Sequence, residues 1–396
     1  MSFSQLLIIG AGLAGLGAAT AAARQGHSVT LISAHASHPP DFRGEKLAEA
    51  QMQALDRIGL GAAARTALTA FDGVSLYRFG ELAERRPGRE YAGDYAGLVN
   101  ALAAALPPEV QRVTGRVAAI AAGPDRQEVT LADGRRHAGR LLVVATGLGD
   151  AIRRMLGVER AVLSAGHSVS IGFDLAQPAQ SYDFASMAWG HEPGDRLLSY
   201  LTLFPMRGAM RGNIFTYRPI DDPWVAAFRK TPDAALRQAL PRLGRVIGPA
   251  TVAGTAAVRP IDLVSVADPV RDGVVLLGDA FSVVCPVTGQ GMAKAISDAE
   301  LLVTRHLPRW LATPGMAAGK IAGFYADPAK LALDGAAMRD SLKGRRMAMG
   351  RGLYWQARRL ASDARFRLRD RIMVDPGPLP VPDATAPELA PARRIG

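Results

Sequence analysis

Apolar and polar positions fall into two textures along this chain. The first is a short unbroken apolar run followed by a small-residue helical pattern. Gln5–Ile9 is such a run, and Ala18, Ala19, Ala22 and Ala23 carry the helix behind it, which predicts a buried parallel strand and its crossover helix. Ser28–Ile32 predicts the next strand, and Ala48–Ile58 a helix stopped by Gly59. Leu98, Leu102 and Leu106 form a helical stripe that ends at Pro107-Pro108. Val110–Leu131 is strand-rich, Asp133-Gly134 is a hairpin signal, and Arg140–Gly147 is a buried strand entering a glycine turn. The second texture is short alternation: Phe71–Phe79, then Ser168–Asp174, Ser181–Trp189, Leu197–Phe204 and Gly212–Tyr217. These predict a β-sheet module of their own. A helix is expected over Pro223–Leu243 and a strand over Thr251–Val258. The apolar run Gly273–Leu277 returns to the first texture, followed by a helix over Met292–Arg305 and a long helical region to about Arg371.

The organisation that follows is an α/β domain in three pieces (1–70, 95–160 and 260–315). A β-sheet substrate domain (71–94 and 161–259) is inserted between them. A basic helical region (316–372) and a Pro-rich tail (373–396), expected to be disordered, complete the chain.

Two glycine turns interrupt the first texture. Gly10-Ala11-Gly12-Leu13-Ala14-Gly15 lies between strand and helix, the setting of a dinucleotide fingerprint. Gly10 allows the tight turn, Gly12 lets backbone approach a pyrophosphate, and Gly15 lets helix pack on strand. The acidic residue expected near the end of the second strand is replaced by Ser33, which can still hydrogen-bond a ribose without charge assistance. The second turn, Gly278–Met292, places Asp279 at a strand end, where its carboxylate can meet a hydroxylated ligand. Gly289, Gln290 and Gly291 then open a helix whose positive end suits a flavin ring that gains negative charge on reduction. Arg43, in the loop beyond the second strand, is within reach of a pyrophosphate.

Bulk properties narrow the classes. The chain has 396 residues, 48% of them hydrophobic, which is ample for a sizeable core. A single cysteine, Cys285, excludes an internal disulfide framework. His35 and His38 have no partners at metal-ligand spacing, so no metal is expected. The net charge of +11 is concentrated in Arg339–Arg371. No nucleic-acid fold signature accompanies it, so no nucleic-acid partner is expected. Interleaved with Leu342, Met349, Leu353, Trp355, Leu360 and Phe366, the segment reads either as a solvated helix or as a peripheral membrane contact. Leu6–Ala23 resembles a signal peptide in its apolarity but lacks a basic leader and carries the glycine spacing, so it is read as fold and the protein as cytoplasmic.

Together these residues resemble the class A flavoprotein monooxygenases of the para-hydroxybenzoate hydroxylase type. Gly10-x-Gly12-x-x-Gly15 matches the N-terminal FAD fingerprint. Gly278-Asp279, Pro286 and Gly289-x-Gly291 match the second FAD motif. Ala145-Thr146-Gly147 with Arg153 lies where the family carries an Asp-Gly motif serving FAD and nicotinamide; here Thr146 replaces its Asp, and Asp150 falls at its usual Ser. Gly-Asp-Ala-Phe is closer to the squalene epoxidase branch. Tyr200–Pro205 and Arg43-Gly44-Glu45-x-Leu47 are similar to stretches of geranylgeranyl reductase-like flavoproteins.

The resemblance implies a Rossmann-like FAD-binding domain with an inserted sheet. It also implies FAD reduced by NADPH or NADH, and oxygen transfer through a flavin C4a-hydroperoxide to an aromatic or lipophilic alkene substrate. The expected cofactor set is Gly10, Gly12, Leu13, Ala14, Gly15, Ser33, Arg43, Val117, Asp279, Pro286, Gly289, Gln290, Gly291 and Met292. Asp279 is placed on the ribityl chain and Pro286 beside the ring. Tyr200 and Tyr217 are the candidates for contacting substrate, against a plain reading as strand aromatics. Two other functions stay open at this point: a flavin-dependent reductase without oxygen insertion, and a non-catalytic FAD-binding assembly protein.

Overall fold

Strands Ser2–Ile9 and Arg136–Val144 pair in parallel, and Leu6–Ile9 and Leu141–Val144 are buried on both faces. That double burial is why their apolar runs are unbroken. The computed structural model describes residues 2–190, 192 and 195–370; the predicted Pro-rich tail lies outside the described residues. In the first sheet, Gln111–Thr114, Val29–Ser33, Ser2–Ile9 and Arg136–Val144 run parallel in that order. The far edge of Arg136–Val144 is shared. Its first half pairs with Gln127–Leu131, the arm of the Asp133-Gly134 hairpin, and its second half pairs in parallel with Val274–Leu276. Val117–Ala121 closes that side.

Helix Leu13–Arg24 packs on this sheet and against helix Gly291–Leu301. Their contact explains the small residues of the first helix. A Cβ at Gly17 would come within 3.3 Å of the Ala299 methyl and 3.2 Å of the Ile58 side chain.

The second sheet orders Ser282–Val283, Val252–Val266, Arg160–Pro178, Ala209–Thr216, Leu198–Met206, Met187–Gly190, Thr69–Arg78, Glu81–Ala92 and Lys46–Ala48 side by side. Alternation along its central strands divides two environments. Val169, Ile171, Phe173, Trp189, Leu201, Leu203 and Ile214 lie in a core with Trp224, Val225, Phe228, Leu236 and Leu240 of the covering helices. Ser170, Ala188, Tyr200, Thr202, Phe204, Asn213 and Phe215 line a cavity on the opposite face.

Three elements differ from the pattern-based expectation, each for a local reason. The helix expected over Pro223–Leu243 is two helices, Pro223–Lys230 and Pro232–Ala239. Pro232 disfavours helical backbone at Thr231 and starts a new first turn. The expected strand Ser181–Trp189 exists only as Met187–Gly190, after a 3₁₀ turn at Ala179–Ser181. The helix over Met292–Arg305 runs as α-helix only to Leu301, then widens into a π turn at Leu302–His306. Pro308 cannot donate to the carbonyl four residues back, and the widened turn precedes it.

Helix Pro328–Met349 seats on the end of the long strand Arg160–Pro178, where Arg345 donates to the Gly166 carbonyl at 2.7 Å. Beneath it His167 is fully buried, edge-on to Tyr217, with its Nδ1 3.1 Å from Ser164 Oγ. Burial, reinforced by Arg345, lowers its pKa from 6.5 to about 4. A neutral native imidazole contributes stability that is complete above pH 6.5 and is lost as pH falls toward 4, by about 3 kcal/mol at the linkage rate of about 1.4 kcal/mol per unit. Urea unfolding at pH 7 and pH 5 should show this slope in the wild type and a flatter one in His167→Gln.

Candidate active site

The first glycine turn is closed by backbone contacts that no side chain would tolerate. Gly10 has φ +111°, and a Cβ there would lie 2.4 Å from the Ala145 carbonyl oxygen. At Gly15 a Cβ would lie 1.8 Å from the Gly10 carbonyl oxygen, so this glycine lets the helix start against its own turn. Gly12 caps helix Leu13–Arg24 without a side chain, leaving the helix end open toward the cavity. Tyr95 supports it: its hydroxyl accepts from the Leu13 N–H at 3.3 Å, and Arg43 lies over its ring.

The second turn is built at the end of strand Val274–Leu276. Gly278 has φ +57° and its N–H donates to Asp298 Oδ2 at 2.9 Å. That bond aims the next residue, Asp279, into the cavity, with 32% of its side chain exposed and Arg43 Nη1 3.7 Å away. Burial pushes the Asp279 carboxyl up, while Arg43, Lys294 and Arg160 pull it down. Arg160 ties the turns together by donating to the carbonyls of Gly147 (3.0 Å), Leu148 and Asp279.

Behind the second turn lies a buried charge cluster. Lys294 contacts Asp298 at 3.0 Å and Asp334 at 3.2 Å; Lys330 contacts Asp298 at 2.7 Å and Asp334 at 3.0 Å. Both ammonium groups also stack on Phe281. Two cations and two carboxylates balance, and they hold the acceptor for the Gly278 N–H in place.

Both turns line one continuous cavity of about 1560 Å³. Pockets for a single small ligand run to roughly 300–1,000 Å³, so this one has room for a large cofactor and a substrate together. Residues 113–117, Ser33, Gly10–Ala14, Asp279, Pro286, Gly289, Gly291 and Met292 all line it. The donor set fits FAD: the end of helix Leu13–Arg24 and Arg43 would suit a pyrophosphate, the Asp279 carboxylate a hydroxylated chain, and the start of helix Gly291–Leu301 a ring that gains negative charge.

Of the expected cofactor set, Gly10, Gly12, Leu13, Ala14, Ser33, Arg43, Val117, Asp279, Pro286, Gly289, Gly291 and Met292 line the cavity. Gly15 packs behind it, and the Gln290 side chain turns away to Asp340 Oδ2 at 3.2 Å. The Ser33 hydroxyl donates to the His35 carbonyl at 2.7 Å and keeps its lone pairs for a ribose. Thr146 lines the cavity with its Oγ1 buried and unpartnered, whereas Arg153 is buried on the Gly149 carbonyl and Asp150. Tyr200 lines the cavity. Tyr217 does not: it lies beyond the end of the cavity, under helix Pro328–Met349, where a Cβ at Gly344 would meet its hydroxyl at 2.4 Å.

A family model described as an FAD binding domain matches residues 4–87 and 98–307. The chain belongs to this FAD-binding family. Within it, the chain is similar to 3-amino-4-hydroxybenzoate 2-monooxygenase of Streptomyces platensis, 29% identical over 75% of this chain and 78% of that protein. It is also similar to 2-heptyl-3-hydroxy-4(1H)-quinolone synthase of Pseudomonas aeruginosa, 28% identical over 75% and 79%. Its fold matches that of Klebsiella pneumoniae HpxO, solved with FAD and uric acid, at a TM-score of 0.70, with 20% identity over 93% of this chain and 94% of that one. The protein is an FAD-dependent monooxygenase of the class A type, with FAD as its cofactor.

Sequence reasoning singled out Glu45 within Arg43-Gly44-Glu45-x-Leu47 but missed several other residues that shape the site: Tyr95, Arg160, the Lys294–Asp298–Lys330–Asp334 cluster, and the Glu45 partners Arg211 and Asn213. Lys294/Asp298 and Lys330/Asp334 are each four apart on a helix, the spacing of an ion pair. Nothing local shows that the two pairs interlock.

Two outcomes follow from this geometry. Gly15→Ala should fold but lose its cofactor, read as the ratio of flavin to protein absorbance after gel filtration. Asp298→Ala leaves two buried lysines short of a carboxylate and should cost about 3–5 kcal/mol in denaturant unfolding.

Proposed function

We propose that this monooxygenase uses NADH or NADPH and O₂ to oxygenate a small aromatic substrate held between the second sheet and the second glycine turn. The observation that supports this most directly is the cavity itself. Besides both glycine turns, it is lined by Tyr200, Thr202, Phe204, Asn213 and Phe215 of the second sheet. Bound FAD supplies the redox chemistry and the activation of oxygen.

The chain's own residues bind, orient and exclude water. The Gly291–Leu301 helix turns its positive end to the ring position and favours negative charge there. The aromatic wall keeps that position dry, which protects an oxygenating site from unproductive release of hydrogen peroxide. Tyr200 donates to the Val287 carbonyl at 2.7 Å, and burial pushes its phenol pKa up. It therefore acts as a wall and an anchor for the Pro286–Thr288 turn rather than as a base. The names of relatives support the aromatic class: one is a 3-amino-4-hydroxybenzoate 2-monooxygenase, another a 2-heptyl-3-hydroxy-4(1H)-quinolone synthase.

We also propose that helix Leu353–Asp370 rests on an anionic membrane surface. Leu353 and Leu360, seven apart on one face, are 83% and 64% exposed, with Arg351 and Arg358 beside them. Among the described residues no helix is long and apolar enough to cross a membrane. Co-sedimentation with phosphatidylserine vesicles should fall at least tenfold in Leu353→Glu/Leu360→Glu; equal sedimentation removes the idea.

Mixing the FAD-loaded protein with NADH or NADPH under air tests the main reading. Nicotinamide oxidation and O₂ uptake should accelerate when a suitable aromatic compound is added, with one oxygen atom from ¹⁸O₂ appearing in the product. Acceleration without label in the product would argue for a dehydrogenase instead.

A further inference from the structure

The loop that carries Arg43 lies outside both sheets, yet the second sheet grips it on either side of that residue. Before Arg43, the Asp41 carboxylate and the Phe42 carbonyl accept from Arg259 Nη1 at 2.6 and 2.8 Å. The Phe42 ring sits over Gly172, where a Cβ would come within 2.4 Å of it, so a side chain there must displace the ring. After Arg43, both oxygens of buried Glu45 accept from Arg211, at 2.8 and 2.9 Å, and Oε2 also accepts from Asn213 Nδ2 at 3.1 Å. Arg211 lies over the Phe42 ring as well, 5.5 Å from its centre. These partners come from three adjacent strands, Val252–Val266, Arg160–Pro178 and Ala209–Thr216. In the ladder Gly172 faces Asn213 on one side and Ala257 on the other, so the loop crosses the middle strand at a glycine.

Between these fasteners, Arg43 and Gly44 lie against the second glycine turn. Arg43 Nη1 is 3.7 Å from Asp279 and its guanidinium lies over the Tyr95 ring. A Cβ at Gly44 would come within 3.0 Å of the Met292 side chain. Arg43 Nε donates to Asp41, the carboxylate that Arg259 also holds. An arginine has a long flexible stem, and ordering it costs rotamer entropy. A guanidinium held in place by the fold meets that cost before any ligand arrives, and binds a phosphate more tightly for it.

Resting on the placement of Arg43 at the FAD pyrophosphate, we propose that Gly172 and Arg211 of the second sheet are positioning residues for the cofactor. Neither lines the cavity. They act through Arg43: Gly172 seats Phe42, Arg211 fixes Glu45, and the loop between the two holds the guanidinium toward the cavity. The second sheet thus helps to hold FAD in addition to walling the substrate side.

The test uses the FAD-loaded full chain. Its dissociation constant for FAD is read from the flavin that passes an ultrafiltration membrane as the holoprotein is diluted. Arg43→Ala should raise the constant at least thirtyfold. Gly172→Ala displaces the Phe42 ring, and Arg211→Lys keeps the charge but loses the two-pronged contact with Glu45; each should raise the constant at least fivefold. In the Arg43→Ala background the same two substitutions should change it by less than twofold, because the side chain they position is gone. A merely structural effect would persist in full in that background, and this outcome overturns the proposal. An unchanged constant in either folded single variant overturns it too. If one variant does not fold, the other makes the same comparison. Failure of the Arg43 placement shows separately, as an Arg43→Ala variant that holds FAD as tightly as the wild type. Oxygen uptake plays no part in the readout, so the result is independent of the substrate assigned above.

Discussion

The rest of the structure depends on one strand, Arg136–Val144, having the two glycine-turn strands as its neighbours. Ile9 pairs with Val144 on one side, and Leu276 pairs with Val144 on the other. All three strands run parallel, so Gly10, Ala145 and Leu277 leave the sheet at the same level. Open parallel sheets bind ligands at the carboxyl ends of their strands, and here that edge carries both motifs of one cofactor. Segments about 270 residues apart in the chain become neighbours because strand pairing is indifferent to sequence distance once the loop entropy has been met, which grows only slowly with length.

Holding that edge rigid has an electrostatic cost. Lys294, Lys330, Asp298 and Asp334 are drawn from water, and an isolated buried charge would be several kcal/mol unfavourable. Placing two of each sign in mutual contact offsets the loss, and Asp298 uses a remaining lone pair on the Gly278 N–H. The cluster therefore joins stability to function: the same carboxylate that neutralises two lysines aims the turn bearing Asp279. Helix Pro328–Met349, which supplies Lys330 and Asp334, is part of the site's foundation although none of its residues lines the cavity.

The second sheet contributes by alternation. A strand gives successive residues to opposite faces, so the sheet can seal a hydrophobic core under its own helices and still present a mixed polar and aromatic wall to the cofactor. Phe42 lies against Gly172, where a Cβ would approach within 2.4 Å of its ring, and Gly44 lies against Met292. The loop carrying Phe42, Arg43 and Glu45 is in this way packed between the sheet and the second-turn helix. Each of the three side chains serves a different surface.

Much of this was legible in the order of residues. Unbroken apolar runs marked strands buried on both faces, and glycines at Gly10, Gly15, Gly278 and Gly289 marked turns where a Cβ or an ordinary φ does not fit. These are local signals, because sterics and periodicity act within a few residues. They were enough to indicate the α/β flavoprotein fold and its cofactor. Breaks at Thr231-Pro232 and before Pro308 were written locally too, though helical periodicity concealed them. What only the tertiary structure decided is which distant groups meet. Tyr217 shares a face with Phe215 yet lies outside the cavity, because a C-terminal helix covers it. Asn213 has no sequence signature, and its buried amide donates to Glu45, which arrives from 168 positions away. Pairing of that kind depends on where the folded backbone carries each side chain, and no spacing along the chain encodes it.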